Sequence, residues 1–427
     1  MGEYLSKSGV SGAIPQYSSR REINPKTNNN TATMGPDWSL LPPELLEIIA
    51  GKVTSLGDYI RFRAVCHPWR SASSPRPRHL PVQLPWLLLP YRFDSVDDSI
   101  RLFYDLSASK IHKLDLPETR GATICGSYHG WLILHNGQVT SLFNPITRDT
   151  VSLPPYTAPP SNLGIAPFDY DMDDFELWHD TNSAMSPADT FFVKKAILTS
   201  SPLDASCMVF VHLDLCWELA FCKIGDERWT VIEFALSWGV DMRVDFSYSK
   251  GFLYNVDRLG QVTKYNLINP SKMLFVGIVS NNDKYLVQGV DGDVLVIYNS
   301  GRTSDDEVVE REIQYKVYKL GNDGKPEWIE VTDVGQNVLF LGGGGHALSL
   351  SSSNLQLPDW GAKCLCYDSK KLEYWNKQLG YWDSWFKTNI ELGRLDDGTV
   401  TDISGNLGLF QMNRHWQKSL WLTPSLL

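Results

Sequence analysis

The sequence lacks any run of eighteen apolar residues, so no membrane-spanning helix is expected. Basic residues are the minority: 39 Lys and Arg stand against 49 Asp and Glu, which gives a formal net charge of −10. This balance implies no basic surface and argues against nucleic acid as a partner. The 427 residues are enough for two or three domains, and 43% are hydrophobic, enough for a large core.

Cysteine is also scarce, with seven residues in no repeating spacing. Cys364 and Cys366 alternate along an apparent strand, but no second pair completes a zinc site. Residues 1–35 lack the apolar core of a secretory signal and are rich in Ser, Asn, Thr and Gly. We therefore expect reduced, buried thiols, a location in the cytoplasm or nucleus, and a disordered tail over residues 1–35.

Motifs that carry chemistry are missing as well. Residues 342–346 form a glycine run that lacks the Lys-Ser/Thr of a phosphate-binding loop, and we interpret it as a hairpin turn. No Gly-x-Ser-x-Gly elbow occurs, and the nine histidines show no zinc-binding spacing. His129, beside Gly130, is interpreted as a packing residue at a strand end. The sequence predicts no catalytic residue, no metal site and no cofactor.

Residues 38–72 favour two or three short helices. Pro42 and Pro43 suit a first helical turn, and Asp58 is a plausible N-cap for the next helix. Apolar residues recur at helical spacing in two stripes, and these are Leu45, Ile48, Ile49 and Val53, then Tyr59, Phe62, Val65, Cys66 and Trp69. On spacing alone, this could be an ordinary helical hairpin with these residues as its core.

The order of the short motifs in this segment resembles an F-box. The matching elements are Leu41-Pro42, Glu44-Leu45-Leu46, Ile48-Ile49, Phe62, Val65-Cys66 and Trp69-Arg70. The resemblance implies a module over 36–80 that binds the Skp-type adaptor of a cullin-based ubiquitin ligase. It implies adaptor contacts at Leu41, Pro42, Leu45, Ile48 and Ile49, although some of these must pack the module's own core. His67-Pro68 departs from the pattern, and we expect Pro68 to end its helix early.

From about residue 95 the sequence pattern changes to short strand-like runs, which are separated by Gly, Asn, Asp and Pro. A short motif recurs, in which a strand with an aromatic residue near its end is followed by a polar turn. It occurs at residues 101–106, 139–145, 218–222, 262–267, 315–320 and 363–368. The intervals are mostly about 40–50 residues, the period of four-stranded propeller blades. We predict a mainly β region over 99–425, after a linker at 81–98. It forms a β-propeller of about six blades, with five or seven possible.

Closure of the ring is also predicted. The first blade, near residues 99–116, has only two strands of its own, and residues 419–423 form a strand without a local partner. That C-terminal strand would complete the first blade and remove an exposed sheet edge.

This second region resembles the kelch-like propeller domain that follows the F-box in a family of plant F-box proteins. The resemblance rests on phrases such as Gly130–Leu134, Leu142–Thr147 and Trp421–Ser425. Two segments depart from it: the acidic insertion 169–176, and residues 369–403, which we interpret as a long irregular loop.

Together the two resemblances imply a substrate-receptor subunit of an SCF-type ubiquitin ligase, a non-catalytic subunit with a Skp-type adaptor, a cullin and an unidentified client as partners. The client would bind at the 156–190 insertion or the 369–400 loop, with Trp178, Trp382 and Trp385 as candidate anchors. Core packing is the competing explanation for each tryptophan, and a solvated loop for the acidic run. The alternative functions are a ligase-independent propeller scaffold and a ligand-binding propeller enzyme.

Overall fold

The computed structural model describes the protein from residue 37 onward, with gaps. The described residues are 37–92, 99–137, 139–156, 193–213, 219–232, 243–257, 259–267, 269–278, 284–299, 315–321, 327–355, 364–374, 384–395, 399–404, 407, 409–412, 416–417 and 419–426.

The N-terminal helical module contains a 3-10 helix (Trp38–Leu40), α1 (Pro43–Ala50), α2 (Leu56–Ala64) and α3 (His67–Ser71). Pro43 opens α1, where no backbone N–H is required. The prediction of Asp58 as an N-cap was wrong: Ser55 caps α2, and its hydroxyl accepts the Asp58 N–H. The prediction for Pro68 was also wrong, because Pro68 lies in the first turn of α3, a position that tolerates proline.

The core of this module is small. Leu46, Ala50, Tyr59 and Phe62 are buried, and Trp69 packs against Phe62 with 4.6 Å between ring centroids. The Tyr59 hydroxyl donates to the Ser74 carbonyl at 2.9 Å, which holds the segment after α3 against α2.

The first blade begins earlier than predicted. The segment 81–98, predicted to be a linker, contributes β1 (Trp86–Leu88) and β2 (Tyr91–Arg92), and β3 (Ile100–Asp105) and β4 (Lys110–Asp115) follow. β1 pairs antiparallel with β3, with Trp86 opposite Asp105. The short apolar run between Pro85 and Pro90 is therefore a blade strand.

Each of the next four blades uses four consecutive antiparallel strands. Blade 2 contains β5 (Thr123–Tyr128), β6 (Trp131–Asn136), β7 (Val139–Phe143) and β8 (Thr150–Ser152); blade 3 contains β9 (Val193–Leu198), β10 (Met208–Leu213), β11 (Leu219–Lys223) and β12 (Thr230–Ile232). Blade 4 contains β13 (Arg243–Ser249), β14 (Phe252–Asp257), β15 (Gln261–Asn266) and β16 (Asn269–Ile278); blade 5 contains β17 (Lys284–Gln288), β18 (Val294–Asn299), β19 (Tyr315–Leu320) and β20 (Trp328–Val331).

The sixth sheet is larger and less regular. It contains β21 (Asn337–Leu341), β22 (Ala347–Ser351), β23 (Cys364–Tyr374), β24 (Ser384–Arg394), β25 (Val400–Asp402) and β26 (Leu409–Met412). β23 runs parallel to β21, so the order is β22-β21-β23-β24-β25, and β26 also pairs with β24. The predicted turn at 342–346 is confirmed, because it joins β21 to β22.

The prediction of an irregular loop over 369–403 was wrong. β23 and β24 pair from Cys364 opposite Arg394 to Tyr374 opposite Trp385, and β25 pairs with the end of β24. Residues 384–390 mix polar and apolar types without strict alternation, so the sequence pattern did not indicate a strand there.

The described residues contain two further short strands: β27 (Trp416–Gln417), which pairs with β2, and β28 (Leu420–Leu422). β28 pairs antiparallel with β1, with Trp86 opposite Leu422. The prediction that the C-terminal strand completes the first blade and closes the ring is therefore confirmed, with β1 between β28 and β3. The described residues form five regular four-stranded blades beside the larger sixth sheet, and five is within the predicted range of five to seven blades.

The propeller core lies between neighbouring sheets. Buried apolar clusters join each sheet to the next around the ring, and the last one joins Phe340 of the sixth sheet to Trp421 of β28 at 5.4 Å between ring centroids. Near the axis, β28 contacts β5, β5 contacts β9, β13 contacts β17, and β17 contacts β22. These contacts identify the innermost strands.

We expect Gly126→Ala to destabilise the propeller. An added Cβ at Gly126, in β5, would lie 2.2 Å from the Ala196 carbonyl oxygen of β9, so the two blades would have to move apart. Overpacking of this kind costs about 1–3 kcal/mol. Thermal unfolding should show a lower Tm than wild type. Gly57→Ala in α2, where the nearest neighbour lies at 3.8 Å, is the control and should not lower it. An unchanged Tm for Gly126→Ala would contradict the close approach.

Candidate functional site: an exposed apolar face on α1

Helix α1 has one packed face and one exposed apolar face. Leu46 and Ala50 point into the module core, with 0% and 4% of their surface exposed. Leu45, Ile48 and Ile49 are exposed to 47%, 59% and 42%. The spacing i, i+3, i+4 places these three side chains side by side on one face of the helix, here called the α1 face.

Other apolar side chains of the module are exposed too. Trp38 and Leu40, in the 3-10 helix before α1, are exposed to 62% and 78%, and Val65, just after α2, to 57%. The Trp69 indole N–H donates to the Trp38 carbonyl at 3.0 Å and so ties the 3-10 helix to α3. Exposed apolar surface concentrated on one small module is typical of an interaction site.

The five predicted adaptor contacts divide into exposed residues and one residue that packs against the module core. Leu45, Ile48 and Ile49 form the α1 face, and Pro42 is exposed at the start of the same helix. Leu41 is half-buried and packs against the module core. The two apolar stripes seen in the sequence divide differently from the prediction, because Leu46 and Ala50 carry the inward packing of α1. The same spacing argument, centred on Leu46 and Ala50, could have found the inner face.

A second unusual feature lies near the propeller axis, here called the axial ion pair. Lys195 of β9 bonds to Asp245 of β13, and both side chains are almost fully buried. The Lys195 ammonium also donates to the Gly345 carbonyl at 3.0 Å. Asp245 accepts the backbone N–H groups of Phe246, at 2.8 Å, and Leu286, at 2.6 Å.

The electrostatics of this pair follow from its burial. Desolvation raises the pKa of Asp245, and the positive charge of Lys195 opposes that rise. Burial also raises the pKa of Tyr128, with a further contribution from the negative charge of Asp245. These hydrogen bonds connect groups from blades 3, 4 and 5 and from the sixth sheet. The carboxylate and the ammonium both bond to protein groups, so the axial ion pair holds neighbouring sheets together.

Of the three predicted client anchors, the described residues include Trp385 alone. Trp178 and Trp382 lie outside the described residues, as do the acidic run 169–176 and nearly all of the 156–190 insertion. Trp385 lies in β24, in register with Tyr374 and Gln411, and therefore not in a loop as predicted. Core packing accounts for other tryptophans: Trp131 and Trp421 are buried, and the Trp421 indole donates to the Leu341 carbonyl at 2.9 Å.

Among the residues that the structure describes, no three His, Cys, Asp or Glu side chains lie close enough together to hold a metal ion. In the same part of the protein, no helix is sufficiently long and apolar to span a membrane. Of five free cysteines described, four are buried, and burial raises the pKa of Cys125 and Cys222 to about 12.

Comparison with known proteins places the chain in a family. The KIB1-4 beta-propeller family matches residues 103–397. The F-box protein SKIP23 of Arabidopsis thaliana is 26% identical over 91% of this chain and 95% of its own length. F-box protein At4g12382, also of Arabidopsis thaliana, is 33% identical over 28% of this chain and 84% of its own length. F-box protein At3g56470 of the same plant is 40% identical over 27% of this chain and 30% of its own length.

Among solved structures, TolB from Acinetobacter baumannii covers 87% of this chain and 74% of its own, at 8% identity and a TM-score of 0.41. That score is too low to bear on the assignment, which depends on the family match and on the plant relatives. The chain belongs to the KIB1-4 beta-propeller family and is a plant F-box protein.

Proposed function

We propose that this protein is a substrate-receptor subunit of an SCF-type E3 ubiquitin ligase and that the α1 face docks the Skp-type adaptor. The observation that carries the proposal is the exposure of Leu45, Ile48 and Ile49 on a helix whose opposite face is packed. Complete burial of one Leu or Ile side chain is worth about 1.5–3 kcal/mol. These three are already about half buried, so covering them contributes roughly 1 kcal/mol each.

In this role the protein performs no chemistry of its own. The F-box joins it through the adaptor to the cullin, and the propeller holds a client near the conjugating enzyme, whose thioester supplies the ubiquitin. The contribution to rate is proximity, because the client's lysines are held at a high effective concentration. We propose that the protein acts in the cytoplasm or nucleus.

Reconstitution with purified proteins tests the adaptor assignment. The full-length protein is mixed with a Skp-type adaptor and a cullin and followed by size-exclusion chromatography and calorimetry. We expect a one-to-one complex with the adaptor, and recruitment of the cullin only when the adaptor is present. Failure of the wild-type protein to bind any Skp-type adaptor would contradict the proposal. Adaptor binding without cullin recruitment would instead favour the ligase-independent scaffold.

We also propose that the client binds the propeller and that Trp178, Trp382 and Trp385 are candidate anchors. Large aromatic side chains are frequent hot spots of interfaces. The test is capture of clients by proximity labelling in cells under proteasome inhibition, with each tryptophan replaced by alanine in turn. Loss of labelled clients in one variant, with adaptor binding retained, would support that residue, whereas unchanged clients in all three would contradict the proposal.

A further inference from the structure

The residues after β28 leave the propeller and reach the helical module. Ser425 lies against blade 2, where its carbonyl accepts the Asn144 side-chain amide at 3.1 Å. The fit is close, because a Cβ added at Gly130 would lie 2.5 Å from the Ser425 Cβ. The next residue, Leu426, packs against the core of the helical module.

That core has little apolar material of its own. Its four buried members are Leu46, Ala50, Tyr59 and Phe62, and Leu426 is among the half-buried residues around them. A helical module of about 40 residues is marginal in isolation, because so small a unit buries too small a fraction of its surface. Each additional apolar contact therefore matters more here than in the large propeller core.

A second tie reaches the module from the segment before β1. The Gln83 side chain accepts the Leu56 N–H at 3.1 Å and donates to the Thr54 carbonyl at 3.0 Å, at the start of α2. The Arg76–Asp149 ion pair, at 3.3 Å, adds little because both side chains are about half exposed. β1 and β28 pair with each other, so Gln83 and Leu426 both extend from the strand pair that closes the ring.

We infer that residues 424–426, here called the strap, complete the F-box core and that Leu426 is a positioning residue for the α1 face. Since β28 closes the propeller and the strap continues from it, closure of the ring and formation of the adaptor-binding surface are coupled. This inference depends on the proposed function only where adaptor binding is the measurement.

Hydrogen exchange tests the strap without an adaptor. We expect Leu426→Ala to accelerate amide exchange in α1 and α2 by about tenfold, the effect of losing a half-buried leucine, while β5 to β20 keep their protection. Leu203→Ala is the matched control, because Leu203 is exposed to 47% at a turn of blade 3. Leu426→Met should restore protection, since it keeps most of the buried volume.

Adaptor binding provides the second measurement. We expect Leu426→Ala to weaken adaptor binding by about three- to tenfold and Leu426→Met to bind like wild type. Unchanged exchange in α1 and α2, both for Leu426→Ala and for a protein lacking residues 424–427, would overturn the inference. Failure of the wild-type protein to bind the adaptor would count against the proposed function alone, because the exchange experiment would still decide the role of the strap.

Discussion

Replacement of Leu45 and Ile48 by aspartate in one variant is expected to reduce the affinity for a Skp-type adaptor by at least about a thousandfold. Docking would bury two carboxylates against an apolar partner surface, and each uncompensated charge costs several kcal/mol. Both wild-type side chains are about half exposed, so the free module should lose little stability. Leu45 also lies in the first turn of α1, where a negative charge is favourable.

Isothermal titration calorimetry with the purified adaptor measures this effect, and circular dichroism checks that the helices remain. Glu47→Gln, an exposed change on the same helix, is the control and should bind like wild type. Leu46→Asp should have a different effect, because Leu46 is fully buried and its replacement would unfold the module. If the Leu45 and Ile48 variant still bound the adaptor, the α1 face would not be the docking site.

The second large effect is expected at the propeller axis, where Asp245→Ala should lower the free energy of unfolding by about 3–5 kcal/mol. This range is typical of removing one partner of a buried ion pair, because the other charge stays buried without compensation. The change would strand the Lys195 ammonium and leave the Leu286 N–H without its carboxylate acceptor. The axial ion pair connects blades 3, 4 and 5 and the sixth sheet, so its loss should destabilise the whole propeller.

Denaturant unfolding followed by tryptophan fluorescence measures this loss. Asp293→Ala is the control, since its ion pairs with Lys250 and Lys319 are partly exposed to solvent and each is worth about 0–1 kcal/mol. A second readout comes from Tyr128, whose pKa is raised in part by the Asp245 charge. Loss of that charge should lower the pKa of Tyr128, as seen by ultraviolet titration of tyrosinate. An unfolding free energy like that of Asp293→Ala would contradict the role of the axial ion pair.

The sequence predicted the features that have a regular period. Helical spacing located α1 and α2, and the recurrence of a strand motif with an aromatic residue located the blades. The C-terminal strand without a local partner predicted the closure of the ring. Prediction from the sequence failed where one local pattern was compatible with two structures. Residues 81–98 were predicted to be a linker, although they contain β1, which needs only three residues between Pro85 and Pro90. Asp58 and Ser55 are both good caps, and only the position where α2 begins decides between them.

The sequence predicted only part of the candidate site, because the packing of helices against each other leaves no period in the sequence. The residues of the α1 face follow from the resemblance to an F-box, but their separation from Leu41 and Leu46 depends on how three short helices pack. The order of strands in the sixth sheet was beyond any local pattern, because the parallel pairing of β21 and β23 depends on a long connection. The contact of Leu426 with the module joins residues more than 350 positions apart, and no sequence period reports on such a distance.

The pairing of β1 with β28 has a consequence for synthesis of the protein. Leu422 follows its partner Trp86 by 336 positions. At about 5–20 residues per second, translation of that length takes roughly 17–67 seconds. Throughout this interval the nascent polypeptide has an apolar strand edge without its partner, which is a hazard for aggregation. We therefore expect folding in cells to depend on chaperones that shield this edge, and premature termination before residue 420 to yield a protein that is degraded instead of assembled.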